Sequence, residues 1–374
     1  MIYDVYDFNF LRLCGLCRYF PKNLQERYKS EMLGVNVYKN LQEFKMIKQQ
    51  SNKQSFKLTR QGKAFLAEMG YTFPEDVKTS INRQSYQVKI NNAKWVSLLH
   101  LAGINVFCRN LKELAGMEVG YISTHMLRDD SNRKPLAETK FLGLLKIGDT
   151  VFIPYYVESA DDWILQRFDR QMYEMFIDEL EGVKHVGHIL LGETLEELSE
   201  YVIKPNKNEK LPRGKIRFSE ALERFEGDTV FMPLNTLGVL QMQFLKNSRN
   251  IMRFAKVLDY DGISSPNYSL FHCEKPNGTP IFIACDGNIS RLKRALIQAE
   301  KASYKFNPNI FALNKEQEDF IINYIEKTSG KYYICHRLTE RIVKNKLFEN
   351  LDTAFQRQAV EKDGITFSVK ALKR

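Results

Sequence analysis

The chain has 374 residues, of which 44% are hydrophobic and 27% charged, a composition that suits a folded protein and excludes a largely disordered one. Its formal net charge of +10 favours a polyanionic partner, nucleic acid above all, although a generally basic surface is the alternative. No apolar run approaches the roughly 18–20 residues of a membrane span, and Asp4 and Asp7 stand where a secretory signal would carry cations. We therefore expect a cytoplasmic protein with no membrane partner.

The six cysteines are scattered, as is typical of a reducing compartment. Two of them, Cys14 and Cys17, form a C-x-x-C motif inside an apolar run. A zinc site would need a second pair of ligands at a suitable spacing, and the sequence has none nearby. Both cysteines are therefore predicted to be small core residues.

The first seventy residues predict four helices and a hairpin. Helices are expected over residues 5–20, where Pro21 ends the run, over 22–30, and over 34–47. The third helix should bury one side, made of Val35, Val37, Leu41 and Phe44.

Two β-prone runs, FKMIK and SFKLT, are joined by the turn-rich QQSNKQ and predict a hairpin. Thr59 then suits the N-cap of a fourth helix that Gly70 ends. Three helices, a hairpin and a closing helix predict a winged helix-turn-helix domain over residues 1–71.

Residues 72–149 are expected to form a helical unit. A connector over 72–85 precedes a long helix over 86–103, and RNLKELAGMEVGYISTHML has the spacing of a helix-turn-helix. The stretch KFLGLLKIGDTVFIPYYV predicts a hairpin that turns at Gly148 and Asp149. This hairpin fits either the wing of a second winged-helix-like unit or the start of the next domain.

From residue 150 to about 350 the pattern alternates strand and helix, which predicts a mixed α/β domain. Strands are expected at VFIPYYV, HVGHILLG, TVFMPL, YSLFHCE and TPIFIACD. The helix after Trp163 should bury Leu165, Phe168, Met172, Met175 and Phe176. Residues 351–374 are a basic tail. The predicted fold class is thus a multidomain α+β or α/β protein.

A winged helix lays its third helix in the major groove and its hairpin along the phosphates. Asn and Gln side chains suit adenine, while Lys and Arg suit guanine or phosphate. Residues 1–71 carry twelve Lys and Arg against six Asp and Glu, which is +6 of the chain's +10. A protein-docking role for the domain is the alternative. The predicted DNA-binding residues are Asn36, Tyr38, Lys39, Asn40, Gln42, Lys48, Lys53, Lys57, Arg60 and Lys63.

Catalytic motifs are sparse: the sequence lacks a phosphate-binding loop, a dinucleotide fingerprint and a nucleophile elbow. His185 and His188 are spaced to lie on opposite faces of a strand, which disfavours a shared metal. A nuclease could hold Mg²⁺ or Mn²⁺ on Asp261, Glu274 and Asp286, which lie near predicted strands. A hairpin with charged ends explains these three acids equally well, and no other cofactor is predicted.

Four stretches together resemble a known family: FKMIKQQSNKQSFKLTRQGKAFL, FLGLLKIGDTVFIPYYVE with the helix led by Trp163, HVGHILLGE, and IFIACDGNISRLKRAL. The arrangement is similar to that of the replication-relaxation and MobC-like relaxase proteins of plasmids and integrative elements in Gram-positive bacteria. The resemblance implies an N-terminal winged helix followed by an α/β domain related to restriction-type nucleases.

The expected function is that of a DNA-binding protein of a mobile element, acting at an origin of transfer (conjugation) or replication. The same chain would act as a metal-dependent nickase, or relaxase, if its α/β domain cuts DNA. The alternative is a transcriptional regulator or adaptor whose α/β domain binds a protein and has no catalytic activity. Expected partners are double-stranded DNA, a second copy of the chain as a homodimer, and proteins of a transfer or replication complex.

Overall fold

The computed structural model describes residues 5–28, 35–50, 54–74, 83–128, 132–203, 211, 214–247, 270–301, 308–328 and 334–337. Within these residues the protein is a mixed α+β fold with one small and two larger sheets and a two-stranded ribbon. None of the described helices is both long enough and apolar enough to cross a membrane. The predicted basic tail over 351–374 lies outside the described residues.

The N-terminal unit contains four helices and three strands. They are α1 (Val5–Cys17), β1 (Phe20–Pro21), α2 (Leu24–Tyr28), α3 (Val35–Glu43), β2 (Ile47–Gln49), β3 (Ser55–Leu58) and α4 (Arg60–Glu68). Strand β3 lies in the middle of an antiparallel sheet of order β1-β3-β2. The predicted hairpin and its following helix are confirmed, and the Thr59 hydroxyl accepts the Gly62 N–H at 3.1 Å as an N-cap.

The first helix is shorter than predicted, and strand β1 was not predicted at all. Helix α1 ends at Cys17 because Arg18 adopts a left-handed conformation, with φ of 64°, and turns the chain. Phe20 then pairs with Phe56 of β3. Cys14 and Cys17 are buried free thiols whose pKa values burial raises, which confirms their prediction as core residues.

Helix α5 (Arg83–Leu101) lies between the N-terminal unit and the largest sheet. Its Trp95 is fully buried, and one continuous hydrophobic core joins it to Phe10 and Phe56 on one side and to Ile189 and Met232 on the other. The N-terminal unit therefore does not fold around a core of its own but shares one with the sheet.

The next part of the chain departs from the helical unit that the sequence predicted. Helix α6 (Leu111–Ala115) is followed by strand β4 (Val119–Ser123), where a second helix was expected. After α7 (Arg133–Glu138), β5 (Gly143–Ile147) and β6 (Thr150–Tyr156) form the predicted hairpin. Strand β4 pairs with β5, and the side chains of Tyr121 and Ile122 are both buried.

The five-stranded sheet has the order β10-β8-β6-β5-β4. Strands β6, β8 (His185–Gly192) and β10 (Thr229–Pro233) are parallel, and β5 and β4 are added antiparallel. The expected domain boundary at residues 149 and 150 falls inside the β5–β6 hairpin of this sheet. The hairpin is therefore part of the sheet that the α/β region builds.

Helix α8 (Gln166–Ile177) connects β6 to β8, as predicted, but its buried side differs from the predicted one. Asp169, Met172, Tyr173 and Phe176 face the core, at the spacing of one helix face, while Met175 is 44% exposed. A carboxylate thus lies where the sequence predicted only apolar side chains.

The remaining connections of this region are short. They are β7 (Trp163–Ile164) and β9 (Ile216–Arg217), which pair with each other, α9 (Leu195–Leu198), a π-helical turn over Ser199–Ile203, α10 (Phe218–Ala221) and α11 (Thr236–Leu245).

The second large sheet has the order β11-β12-β13-β14. Its strands are β11 (Cys273–Glu274), β12 (Pro280–Ile283), β13 (Asn309–Ala312) and β14 (Ile334–Arg337), with α12 (Ile289–Lys301) and α13 (Lys315–Thr328) between them. Strands β12, β13 and β14 are parallel. The Phe231 N–H donates to the Gly287 carbonyl at 3.0 Å, which joins the edge of the five-stranded sheet to this one. The predicted cap of α13 is confirmed, since Asn314 accepts the Gln317 N–H at 3.0 Å.

Candidate nucleic-acid interface

Helix α3 presents two of its predicted contact residues to solvent. Lys39 and Asn40 are exposed, while Val37 and Leu41 are buried against the rest of the unit. Tyr38 and Gln42 are partly buried, and the Tyr38 ring packs 4.8 Å from the ring of Phe56, centre to centre. The predicted polar side of the helix thus divides into an exposed pair, Lys39 and Asn40, and a partly buried pair, of which Tyr38 packs on the hairpin. Asn36 lies in the first turn of α3.

The hairpin holds two lysines directly opposite each other. Lys48 of β2 and Lys57 of β3 are cross-strand partners, and Lys48 is exposed while Lys57 is partly buried. Like charges in such a pair destabilise a hairpin. Ile47 and Leu58, also partners, are buried and seat the hairpin on the helices. Lys53, between the two strands, lies outside the described residues.

The end of α3 and the start of α4 meet at Met46. The Met46 carbonyl accepts the Thr59 N–H at 3.0 Å and the Thr59 hydroxyl at 3.1 Å. Gly62 lies so close that a Cβ atom there would collide with the same carbonyl oxygen. This contact holds Arg60 and Lys63, both exposed, beside the hairpin.

We call the six cations of this region the basic surface; they are Lys39, Lys45, Lys48, Lys57, Arg60 and Lys63. Within the described part of the chain, none of the first five forms an ion pair. Glu43 and Glu68 are exposed on the same two helices and reduce the net charge there. Lys39, Lys45, Lys48 and Arg60 are exposed, whereas Lys57 is partly buried.

One prediction about α3 is wrong: Phe44 is 39% exposed, not buried. The helix ends at Glu43, and the chain leaves it through a Schellman turn. In that turn the Lys45 N–H donates to the Gln42 carbonyl and the Met46 N–H to the Leu41 carbonyl, both at 2.9 Å. Met46 takes the buried position, so Phe44 is left at the surface next to Lys45.

The structure does not bring the predicted catalytic acids together. Glu274 is buried opposite Pro280, at the start of β12, whereas Asp286 follows the end of that strand. The Asp286 carboxylate accepts Arg291 Nη2 at 2.6 Å and the Asn288 N–H at 3.1 Å. Asp261 lies outside the described residues. Among those that are described, no three His, Cys, Asp or Glu side chains are grouped so that they could hold a metal ion.

A buried polar group that the sequence did not reveal lies between α8 and the five-stranded sheet. Asp169 is 1% exposed; one oxygen accepts the Lys140 N–H at 3.0 Å, and burial raises the pKa of the carboxyl to about 7. His188 is 2% exposed and stacks on Phe225 at 3.9 Å, and burial lowers the pKa of its imidazole to about 3. His185 is exposed, so the two histidines do lie on opposite faces. Because this group is sealed in the core, we assign it to packing.

A second group missed by the sequence lies where the N-terminal unit meets the sheet. The Glu193 carboxylate is bound by Arg27 and Lys94, each at 2.5 Å, and by the Tyr156 hydroxyl at 2.7 Å. Arg27 also donates to the Leu234 carbonyl at 3.0 Å. Burial raises the pKa of Glu193, but the hydrogen bonds from Lys94 and Tyr156 outweigh it and lower the pKa overall.

Glu193 directly follows β8, at the carboxyl end of the parallel strands, where open α/β sheets place their ligands. The position of an acid just after HILLG is the one sequence signal that could have pointed to it. An open pocket of about 490 Å³ lies here. Its lining residues are Asn23, Glu26, Arg27, Glu193, Thr194 and Asn235. Because Arg27 belongs to α2, its ion pair with Glu193 connects a helix of the N-terminal unit to the carboxyl end of β8.

Comparisons with protein-family models, with curated proteins and with solved structures found no match to this chain.

Proposed function

We propose that this protein binds double-stranded DNA through its N-terminal unit, acting as a winged helix. The order helix, strand, helix, helix and hairpin supports the proposal, together with the pairing of β1 with the second hairpin strand β3. In a winged helix these are the elements that set the recognition helix beside the wing. Helix α3 is then the recognition helix, and β2 with β3 is the wing.

The unpaired cations are the observation that carries the proposal. Five cations of the basic surface form no ion pair within the described chain, and two of them, Lys48 and Lys57, are held opposite each other. Such a pair costs folding free energy unless an anion lies over it. A phosphate of the DNA backbone would relieve that repulsion, and it would release condensed counterions as it did so.

Sequence preference, in this proposal, comes from α3. Asn40 is exposed on that helix, and an asparagine amide can pair with the edge of adenine in the major groove. Lys39 would reach guanine or a phosphate. The lysines of the wing contact the backbone alone and set the register of the protein on the duplex.

The resemblance of the sequence to mobile-element proteins makes an origin of transfer or replication the first duplex to try. DNA cleavage is not part of the proposal, since Glu274, on β11, lies opposite the start of β12, whereas Asp286 follows the end of that strand. A regulator or an adaptor that binds DNA without cutting it fits the same geometry.

Fluorescence anisotropy tests the proposal on two duplexes across a salt series of roughly 50–300 mM. One duplex is selected by the protein from a randomised pool that includes candidate origins, and the other is its scrambled version. We expect Lys48→Glu to weaken binding to both duplexes about tenfold, because it replaces a phosphate contact with repulsion. The fold of this variant should be retained or slightly stabilised, since the new carboxylate would pair with Lys57 across the strands.

Two further variants complete that experiment. Asn40→Ala should narrow the difference between the selected and the scrambled duplex while leaving the salt dependence unchanged. Lys293→Glu makes the same charge reversal at an exposed lysine of α12, so it controls for net charge and should bind as the unmodified protein does. Absence of binding at the lowest salt concentration, or equal affinity of the unmodified protein and Lys48→Glu, would rule the proposal out.

A further inference from the structure

Two non-glycine residues of the described chain adopt a left-handed backbone conformation, and both are cations. Arg18 has φ of 64° and Lys45 has φ of 54°. Each follows the end of a helix, α1 and α3 respectively. Helices that end in this way carry glycine at the left-handed position far more often than any other residue, because a Cβ atom is strained there. A lysine or arginine at such a position therefore needs a reason that lies in its side chain.

The side chain of Arg18 supplies that reason inside the protein. Its Nε donates to His125 Nε2 at 3.0 Å, and its Nη2 lies 2.9 Å from His125 Nδ1. Nη2 also donates to the Pro74 carbonyl at 3.5 Å. Arg18 thus joins the end of α1 to the turn after β4, and a glycine at this position would lose those contacts.

Lys45 has no comparable contact within the described chain. Its backbone is engaged, since the N–H donates to the Gln42 carbonyl at 2.9 Å and the carbonyl accepts the Thr59 hydroxyl at 2.6 Å. Its side chain is exposed and takes part in no hydrogen bond or ion pair with a described residue. A glycine would keep both backbone bonds and remove the strain. The protein therefore carries a strained lysine whose side chain has no described partner.

We infer that Lys45 contacts the DNA backbone between the recognition helix and the wing, an inference that rests on the proposed function. The position lies between Lys39 on α3 and Lys48 on β2, and the bond from Thr59 sets it beside Arg60 at the start of α4. It thus fills the gap between the two groups of predicted contact residues. Because both backbone groups of Lys45 are held, the base of its side chain is ordered before DNA arrives, and less entropy is lost on binding.

Substitution by glycine separates this inference from a structural role, because strain and binding should respond in opposite directions. We expect Lys45→Gly to raise the unfolding temperature of the full chain by roughly 1–3 °C, since the strained Cβ is gone. The same variant should bind the selected and the scrambled duplex about 3–10-fold more weakly at roughly 100 mM salt. The slope of log K against log salt should fall by about 0.9, the value for one lost phosphate contact.

Two controls accompany that variant in the same anisotropy and thermal-unfolding experiments. Lys45→Arg keeps the charge and should bind within about twofold of the unmodified protein, since the guanidinium still reaches a phosphate. Lys293→Ala removes one positive charge on α12 and should leave affinity unchanged.

Binding of Lys45→Gly with unchanged affinity and salt slope would overturn the inference, and so would a lowered unfolding temperature. Failure of the proposed function gives a different result, because the unmodified protein would then not bind either duplex in the salt series. If the unmodified protein and Lys48→Glu behave as proposed and Lys45→Gly binds normally, DNA binding stands and the role of Lys45 does not.

Discussion

Several arginines of the two large sheets are paired with carboxylates, whereas five cations of the N-terminal unit form no ion pair with a described residue. In the sheet region, Arg291 binds Asp286 at 2.6 Å, Arg294 binds Asp228 at 2.7 Å, and Arg170 binds Glu174 at 2.6 Å. On the basic surface, Lys39, Lys45, Lys48, Lys57 and Arg60 form no ion pair with a described residue. The net charge of a chain therefore says less about its partners than the pairing of each cation does.

Where the N-terminal unit contacts the five-stranded sheet, the cations are paired with a carboxylate, as the arginines of the sheet region are. Arg27 belongs to the N-terminal unit, yet it binds Glu193, which follows the carboxyl end of β8. Exposed ion pairs contribute about 0–1 kcal/mol each, so most pairs in the sheet region matter little for stability. Glu193 differs because it gathers three partners in a partly buried site.

We expect the largest loss of stability from a substitution that disrupts the contact between Gly62 and the Met46 carbonyl. Gly62→Ala places a methyl group against the Met46 carbonyl oxygen, which is backbone and cannot move aside. We expect a loss of about 3 kcal/mol of unfolding free energy, together with loss of the proposed DNA binding, because α4 and the hairpin can no longer stay in contact. Chemical denaturation and anisotropy on the same sample measure both.

Gly70→Ala is the matched control for that variant. Gly70 has φ of 81° and no atom within 4 Å of its added Cβ, so only backbone strain of about 1 kcal/mol is expected. If Gly62→Ala costs no more than Gly70→Ala, the Met46 contact does not organise the basic surface.

A smaller effect is expected from the buried carboxyl of the sheet region. The pKa of Asp169 is raised from 3.8 to about 7 by burial, so the folded state holds its proton more tightly than the unfolded state does. The free energy of unfolding is therefore not reduced by Asp169 below pH 3.8. It falls as the pH rises from 3.8 toward 7, because the unfolded state loses this proton more readily than the folded state does.

Asp169→Asn removes the free-energy cost of ionising a buried carboxyl group. We expect it to stabilise the protein by about 2 kcal/mol at about pH 8, with the gain disappearing near pH ~4. Urea denaturation at a series of pH values measures the difference. A variant that is less stable than the unmodified protein at the alkaline end of the series would show that the charged carboxylate has a partner of its own.

The smallest effect concerns the junction itself. Glu193→Ala leaves Arg27 and Lys94 without their carboxylate, and we expect a loss of about 1 kcal/mol, reduced by the partial exposure of the pair. The pKa of Glu193 is lowered in the folded protein, so its contribution is present above the unfolded value of 4.5 and is lost as pH falls below it. The difference in unfolding free energy between Glu193→Ala and the unmodified protein should therefore become smaller at acidic pH.

Glu193→Gln serves as the control, since it can still accept the hydrogen bond from Tyr156 but lacks the charge. We expect the proposed DNA binding of both folded variants to stay within about twofold of that of the unmodified protein, because Arg27 is not on the basic surface. A large loss of affinity would instead show that the junction orients α3.

Much of the local structure could be predicted because it depends on neighbours in the chain. Caps at Thr59 and Asn314 are set by hydrogen bonds three residues away. The inner face of α12 follows from its helical period, and Leu292 and Leu296 are buried as predicted.

Other features escaped prediction because distant residues decide them. Strand β1 has two residues, and it is a strand only because β3 lies beside it. Asp169 shares its helix face with apolar neighbours, and burial against the sheet, not helical period, fixes its environment.

The caps at Thr59 and Asn314, the hairpin between residues 47 and 58 and the concentration of positive charge in residues 1–71 could be predicted from the sequence. Those properties depend on residue types within one or two turns of each position. The tertiary structure alone decided that Lys48 faces Lys57, that Arg27 turns to Glu193 and that Lys45 is strained. It also decided that Glu274, on β11, lies opposite the start of β12, whereas Asp286 follows the end of that strand. The physical reason is that strand register and the packing between elements are set by contacts between residues far apart in the chain.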